Sequence, residues 1–474
     1  MNITLTALDN VVIVAFMILA VWIGYHFSKA AKDMETFYLG NHSLPWSLTV
    51  GTLFSTWYGG VGTVGTIEYA SVYGLSCWLI WSVTSHMGRI PLAVWVGPKI
   101  HVRTAITVPD LLHSVYGKGV ALLGAFFMFL YCIRLGEVTA AGFIGQSAWG
   151  IKPELAGFLA VMFVVLITVL GGLMGVAVMD MIHFWIMLVV ICMIMPINWH
   201  SIGGWAGITH GLSSTPKLMD PYGGFTFMKG LMLVLLAFGV YADPAFYQRF
   251  SAANSPKAGR RALLTCLIIW VAFDVVLVMT GLIVKILYPN IPPAEGYIQL
   301  VFHTLPVGLR GLFIVAIFGA IISALCGYYL TGGATLANDF YARIKGNVSQ
   351  KKIVFLTRCG VIVVAGLGLL IAFKFTTAQD AMIFTSSIWM SAGFVPIVGA
   401  LLYKGKITTL GGYMGMITGI IVFILVKLFP PAGISMEPLV AALPLSAIAW
   451  FIGNKIGKER ISGKLTENNM VGRD

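Results

Sequence analysis

The feature that most constrains this chain is the length of its uncharged apolar runs. The stretches between Glu154 and Asp180, between Arg310 and Asp339, and between Asp380 and Lys404 carry no charged residue. About 20 mostly apolar residues suffice to cross a bilayer as a helix. Runs of this kind recur along all 474 residues, and 58% of the chain is hydrophobic while 10% is charged. Soluble domains average about 25% charged residues, so composition excludes a soluble enzyme and a nucleic-acid binder. The expected fold class is an all-α polytopic membrane protein.

Apolar periodicity and Gly/Pro punctuation predict about thirteen transmembrane helices, near 8–28, 45–72, 76–97, 119–148, 154–172, 175–198, 226–247, 262–287, 308–338, 353–374, 381–402, 409–428 and 436–455. The net charge of +12 is distributed unevenly over the connections. With the N-terminus outside, twenty-one Lys and Arg, Arg249 among them, fall on inner loops and the tail. Five, Lys152, Lys217, Arg310, Lys374 and Lys427, fall outside. The positive-inside rule therefore predicts an outer N-terminus and a cytoplasmic C-terminus in the plasma (bacterial inner) membrane. The six cysteines lie scattered and mostly in apolar runs, with no CxxC pair, so neither a disulfide framework nor a zinc site is expected. Residues 1–10 lack a basic n-region, so the first helix is expected to be retained.

Two spans read as interrupted. The second contains Ser55-Thr56-Trp57-Tyr58-Gly59-Gly60-Val61-Gly62-Thr63, whose clustered glycines make a poor continuous helix. About 180 residues later Gly239-Val240-Tyr241-Ala242-Asp243-Pro244 places a carboxylate and a proline at the end of a span. Close helix packing explains glycines alone. Interruptions at matching places in two halves point instead to an inverted-repeat transporter. The expected organisation is a first helix and inner loop (1–44), a transport core (45–402) with repeats at 45–199 and 226–402, two C-terminal helices (403–455) and a cytoplasmic tail (456–474). Broken helices expose carbonyls and helix ends at mid-membrane, where they bind an ion and a polar solute.

Several motifs resemble those of the sodium:solute symporter family, which includes sodium/glucose, proline, sialic acid and choline transporters. They are Phe37-Tyr38-Leu39-Gly40 with Leu44-Pro45-Trp46, Phe54-Ser55-Thr56-Trp57, Gly171-Gly172-Leu173 through Asp180, Gln248-Arg249 through Lys257, and Ala320-x-x-Ser323 running to Asp339-Phe340-Tyr341. Thr56-Trp57-x-Gly59-Gly60, Gly65-Thr66-x-Glu68 and Gly136-Glu137 look most like the choline-transporter branch. Two aromatic positions of that branch are Asp243 and Ala140 here, so the resemblance implies no complete aromatic cage. It implies a LeuT-like core with a 5+5 inverted repeat and two broken helices. It also implies a sodium ion held by the carbonyls of Ser55, Tyr58 and Ala320 and the hydroxyl of Ser323, a site weakened because Ala324 lacks the fifth ligand's hydroxyl. Cys326 and Gly327 replace residues that build an additional sodium site in some relatives, so one sodium is expected.

The expected function is import of a small polar organic solute, a cationic or zwitterionic nitrogen compound, by alternating access with sodium symport. The substrate-site candidates are Trp57, Gly59, Gly60, Gly62, Tyr241, Asp243 and Phe246, with Asp243 available to an ammonium. Asp180 and His183, three residues apart within a span, are candidates for an ion pathway or proton relay. Arg134 and Glu137 read as a self-neutralising pair, and Asp274 receives no role. Alternatives are a proton-coupled or ion-independent transporter of the same fold and a transporter-like solute sensor, for which no output domain follows the last span. No catalytic set appears at usable spacing, so an enzyme is not expected. The partners are the small-molecule solute and the lipid bilayer, with no nucleic acid, and the sequence assigns no oligomeric state.

Overall fold

Backbone polar groups find no water in hydrocarbon, so apolar runs this long are stable there only as helices. The computed structural model describes residues 5–28, 33–102, 107–431 and 436–457. Most of the expected tail (456–474), and with it Lys458, Arg460, Lys464 and Arg473, lies outside the described residues, as do Lys29, Lys32 and Arg103. Ten of the helices are long and apolar enough to cross a membrane. The principal elements are α1 (Ala7–Ser28), α2 (Trp46–Trp57), α3 (Thr66–Tyr73), α4 (Thr84–Pro91), α5 (Lys118–Cys132), α6 (Leu135–Trp149), α7 (Pro153–Ser201), α8 (Phe227–Ala237) and α9 (Pro244–Ala252). They continue as α10 (Pro256–Leu287), α11 (Leu309–Ala334), α12 (Gln350–Ala372), α13 (Ala378–Trp389), α14 (Thr409–Leu428) and α15 (Pro438–Ile456).

The breaks, rather than the helices, position the site. α2 stops at Trp57, and helix resumes from Gly60 through a wide turn at Val61–Gly65 into α3. α8 tightens into a 3-10 turn at Phe238–Tyr241, and Asp243 caps α9. Both interruptions fall where the glycine clusters and the Asp-Pro pair predict them. A third was not expected: the span near 119–148 divides between α5 and α6 at Arg134, a non-glycine residue in left-handed conformation (φ 51°). The 49 residues of α7, at 1.5 Å each, are far too long for one pass of about 30 Å. That helix turns at Gly172 (φ 54°, ψ −160°), beside the carbonyl of Phe37. Only glycine tolerates such a backbone.

At one end the segment before α2 is tied to the end of α9. Leu44 N–H donates to Ala252 O (3.0 Å) and Asn254 N–H donates to Leu44 O (2.8 Å). This lock joins the segments that leave the two broken helices. Arg249, counted above as an inner-loop charge, is fully buried in α9, so it belongs to the core and not to the charge asymmetry.

Candidate functional site

The two breaks face one central cavity, lined from several helices. Trp57, Tyr58 and Gly62 come from the first break, Gly239, Val240 and Asp243 from the second. Ser85, His86 and Arg89 come from α4, Tyr131, Arg134 and Glu137 from α5 and α6, Asp274 from α10 and Tyr328 from α11. Glutamine, serine, methionine and tryptophan of and after α13 complete it, with Trp389 among them.

Each carboxylate in this cavity already has partners. Asp243 Oδ2 accepts from the hydroxyls of Tyr131 (2.7 Å) and Tyr328 (2.8 Å), while Oδ1 accepts from the N–H groups of Ala245 (2.8 Å) and Phe246 (3.4 Å). The last two are the orphan donors that any helix start exposes. Glu137 Oε2 accepts from Gly60 N–H (2.7 Å), so it caps the resumed half of the first broken helix, and Oε1 lies 3.7 Å from Arg134. Asp274 accepts from Tyr58 O–H and meets His86 Nε2 at 2.6 Å. His86 Nδ1 faces Arg89 Nη1 at 3.0 Å. Arginine only donates, so Nδ1 accepts and Nε2 carries the proton to Asp274.

The two guanidiniums lie on aromatic faces, Arg89 3.7 Å above Trp57 and Arg134 4.1 Å above Tyr328. Arg89 is fully buried, yet its Nε and Nη2 have no partner among the described residues.

A second, smaller cavity lies between α1, α7 and α11 and is lined by Asp180, His183, Ser323 and Cys326. Asp180 Oδ2 accepts from Thr52 Oγ (2.5 Å), which itself accepts from Arg249 Nε (3.3 Å). Ser55 Oγ donates to the Asp180 carbonyl (2.7 Å). These bonds join α2 to α7 across more than a hundred residues of sequence. Asp180 Oδ1 and Ser323 Oγ, both buried, make no hydrogen bond to other described residues, and the two side chains face one another. α2 meets α7 here through Thr52 and Ser55; at its end, where a helix leaves its last carbonyls without intrahelical partners, Tyr58 N–H takes only that of Phe54 (2.9 Å). Ala320 and Ala324 are fully buried on α11.

Of the seven expected substrate residues, Trp57, Gly62 and Asp243 line the central cavity and four do not. Gly59 and Gly60 serve packing, because a Cβ there would lie 2.4 Å from the Glu137 carboxylate and 2.6 Å from Ile321. Tyr241 is turned away, its hydroxyl donating to Gly88 O (2.7 Å), and Phe246 packs edge-on against Trp57. Asp243 is present, but its oxygens are taken by two tyrosines and a helix start rather than open to an ammonium. Asp180 and His183 share the small cavity without a hydrogen bond between them; both ring nitrogens of His183 lack partners among the described residues, and the ring packs on Phe16. The relay link is therefore absent from this conformation. Arg134 and Glu137 pair as expected but also line the cavity. Arg89, His86 and Asp274 received no role from sequence, although an ionisable group within a span is itself the signal.

A helical membrane protein whose two broken helices face one central cavity belongs to the class of secondary transporters with a LeuT-like core. Residues 37–419 match the sodium:solute symporter family, and the chain belongs to that family. Sodium/proline symporters of Staphylococcus aureus are similar over 97% of this chain and 94% of their own length, at 24% identity for strain bovine RF122 / ET3-1 and 25% for strain JH9. The structure of a Na+-coupled sialic acid symporter in a substrate-bound outward-open state superposes with TM-score 0.82, at 17% identity over 95% of this chain and 97% of that one. Mhp1, a nucleobase-cation-symport-1 family transporter, gives 0.57 at 14% identity, covering 89% and 95%. The relatives are transporters, not enzymes.

Proposed function

We propose that this chain imports a small polar organic solute by alternating access, coupled to sodium, across the bacterial inner membrane with its N-terminus outside. One observation carries the sodium reading. Ser323 Oγ and Asp180 Oδ1, two buried oxygens with no hydrogen bond to other described residues, line one small cavity beside the Thr52 and Ser55 part of α2. Sodium is a hard cation that prefers oxygen ligands. A carboxylate oxygen there offsets the hydroxyl missing at Ala324. The proposed ligands are the carbonyls of Ser55, Tyr58 and Ala320 with Ser323 Oγ, now joined by Asp180.

We read 45–199 and 226–402 as the two repeats, each with one broken helix whose resumed half starts at a carboxylate, Glu137 or Asp243. Counting α7 as two passes, and adding the interrupted 46–73 and 77–102 stretches to the other long helices, gives thirteen passes. The test is uptake of a labelled solute panel into proteoliposomes with and without an inward sodium gradient. Uptake that is indifferent to sodium, in the wild type and in Asp180→Asn alike, refutes the coupling.

A further inference from the structure

We propose that the solute carries a carboxylate and that Arg89 binds it; this rests on reading the central cavity as the solute site. A guanidinium has five N–H donors in a planar array, and its Nε and Nη2 edge forms a fork that matches a carboxylate bidentately. In Arg89 the opposite nitrogen, Nη1, is bound to His86, while Nε and Nη2 are the two that have no partner. Arg89 is 0% exposed and lines the cavity. A buried charged donor without a partner costs a large part of its desolvation energy, so an arriving oxyanion gains what the empty fork lacks.

The fork is also held in place. Trp57 stacks below the guanidinium at 3.7 Å, and His86, itself fixed by Asp274, holds Nη1. Such pre-organisation lowers the cost of binding.

The same wall offers a cation no free carboxylate oxygen among these groups. The carboxylates of Asp243, Glu137 and Asp274 are engaged by tyrosines, backbone N–H groups, Arg134 and His86. The faces of Trp57 and Tyr328, which would attract an ammonium, are covered by this chain's own guanidiniums. The cavity's uncommitted buried polar atoms are this Arg89 donor edge, Arg134 Nε and the hydroxyls of Ser82 and Ser85, so its charged uncommitted groups are donors.

The experiment uses the full chain in lipid nanodiscs. Thermal stability and tryptophan fluorescence are followed as benzoate, pyruvate and succinate are added at constant ionic strength, with benzamide and benzylammonium as neutral and cationic counterparts. At least one carboxylate is expected to stabilise the protein while the amide and the ammonium do not. Arg89→Gln should weaken that carboxylate roughly ten- to hundredfold, as expected for losing charge-assisted hydrogen bonds. Arg89→Lys should fall between, since it keeps the charge without the fork.

The thermal unfolding transition without organic solute reports whether each variant is folded, and a sodium titration of the same samples is run beside it. That titration tests the symport reading by itself. Carboxylate binding in a protein that does not respond to sodium leaves this proposal standing and removes sodium coupling. A sodium response with preference for benzylammonium or benzamide does the reverse. Absence of a response to all three carboxylates, or an unchanged carboxylate affinity in folded Arg89→Gln, overturns the proposal.

Discussion

Replacing Asp243 with asparagine separates a structural cap from a solute ligand. The carboxylate takes four hydrogen bonds, two from tyrosine hydroxyls and two from the N–H groups at the start of α9. Asparagine keeps one acceptor oxygen, which can still cap the helix. Its NH₂ then faces Tyr131 and Tyr328, whose hydroxyls can rotate to accept. Two charge-assisted bonds become neutral ones of about half the strength, a loss of roughly 1 kcal/mol each and about 2 kcal/mol together. Asp243→Ala removes the cap as well, worth about 1 kcal/mol, and leaves two buried hydroxyls without their acceptor at about 1–3 kcal/mol each. Unfolding in mixed micelles titrated with a denaturing detergent should therefore rank wild type above Asn and Asn well above Ala. Any solute the transporter carries, charged or neutral, should lose affinity by a similar factor in Asp243→Asn. If Asp243→Asn is as stable as wild type and loses only cationic solutes, the capping role is wrong and the carboxylate is a ligand.

Three further outcomes follow from the geometry. Ala324→Ser should lower the sodium concentration for half-maximal uptake by roughly 2- to 10-fold, the worth of one neutral hydrogen-bonding ligand, while Ser323→Ala raises it; uptake unmoved by either argues against this ion site. Gly172→Ala should destabilise the fold by about 1–3 kcal/mol because its backbone is open only to glycine, and normal detergent stability of that variant would show that α7 does not need this turn. A tag at Met1 should be reached by an impermeant reagent from outside the cell and a tag after Lys455 only after lysis, whereas access to both from one side refutes the proposed topology.

The broken helices were legible because their cause is local. Gly59-Gly60-Val61-Gly62 and Asp243-Pro244 disfavour a continuous helix whatever surrounds them. The turn within α7 was legible for the same reason, since Gly171-Gly172 marked a boundary between two expected spans. The break at Arg134 was not, because nothing in Cys132-Ile133-Arg134-Leu135 forbids helix. That residue is held in its left-handed conformation by tertiary contacts, with its guanidinium over Tyr328 and beside Glu137.

Partnership between distant charges was equally hidden. Asp243 looks the same in sequence whether its oxygens face a solute or two tyrosines, one 112 residues before it and one 85 residues after. Arg89 looks the same whether its fork is filled or empty. The sequence supplies three carboxylates and two arginines to one cavity, and pairing rather than composition decides which sign of charge remains available to a ligand. Both resumed helices are capped by acidic groups, Glu137 and Asp243, which suit the N–H donors and partial positive charge of a helix start. A third acid, Asp274, is drawn to His86 and Tyr58. The broken-helix architecture thus consumes negative charge on its own backbone, and the donor edge of Arg89 is what it leaves facing the solute.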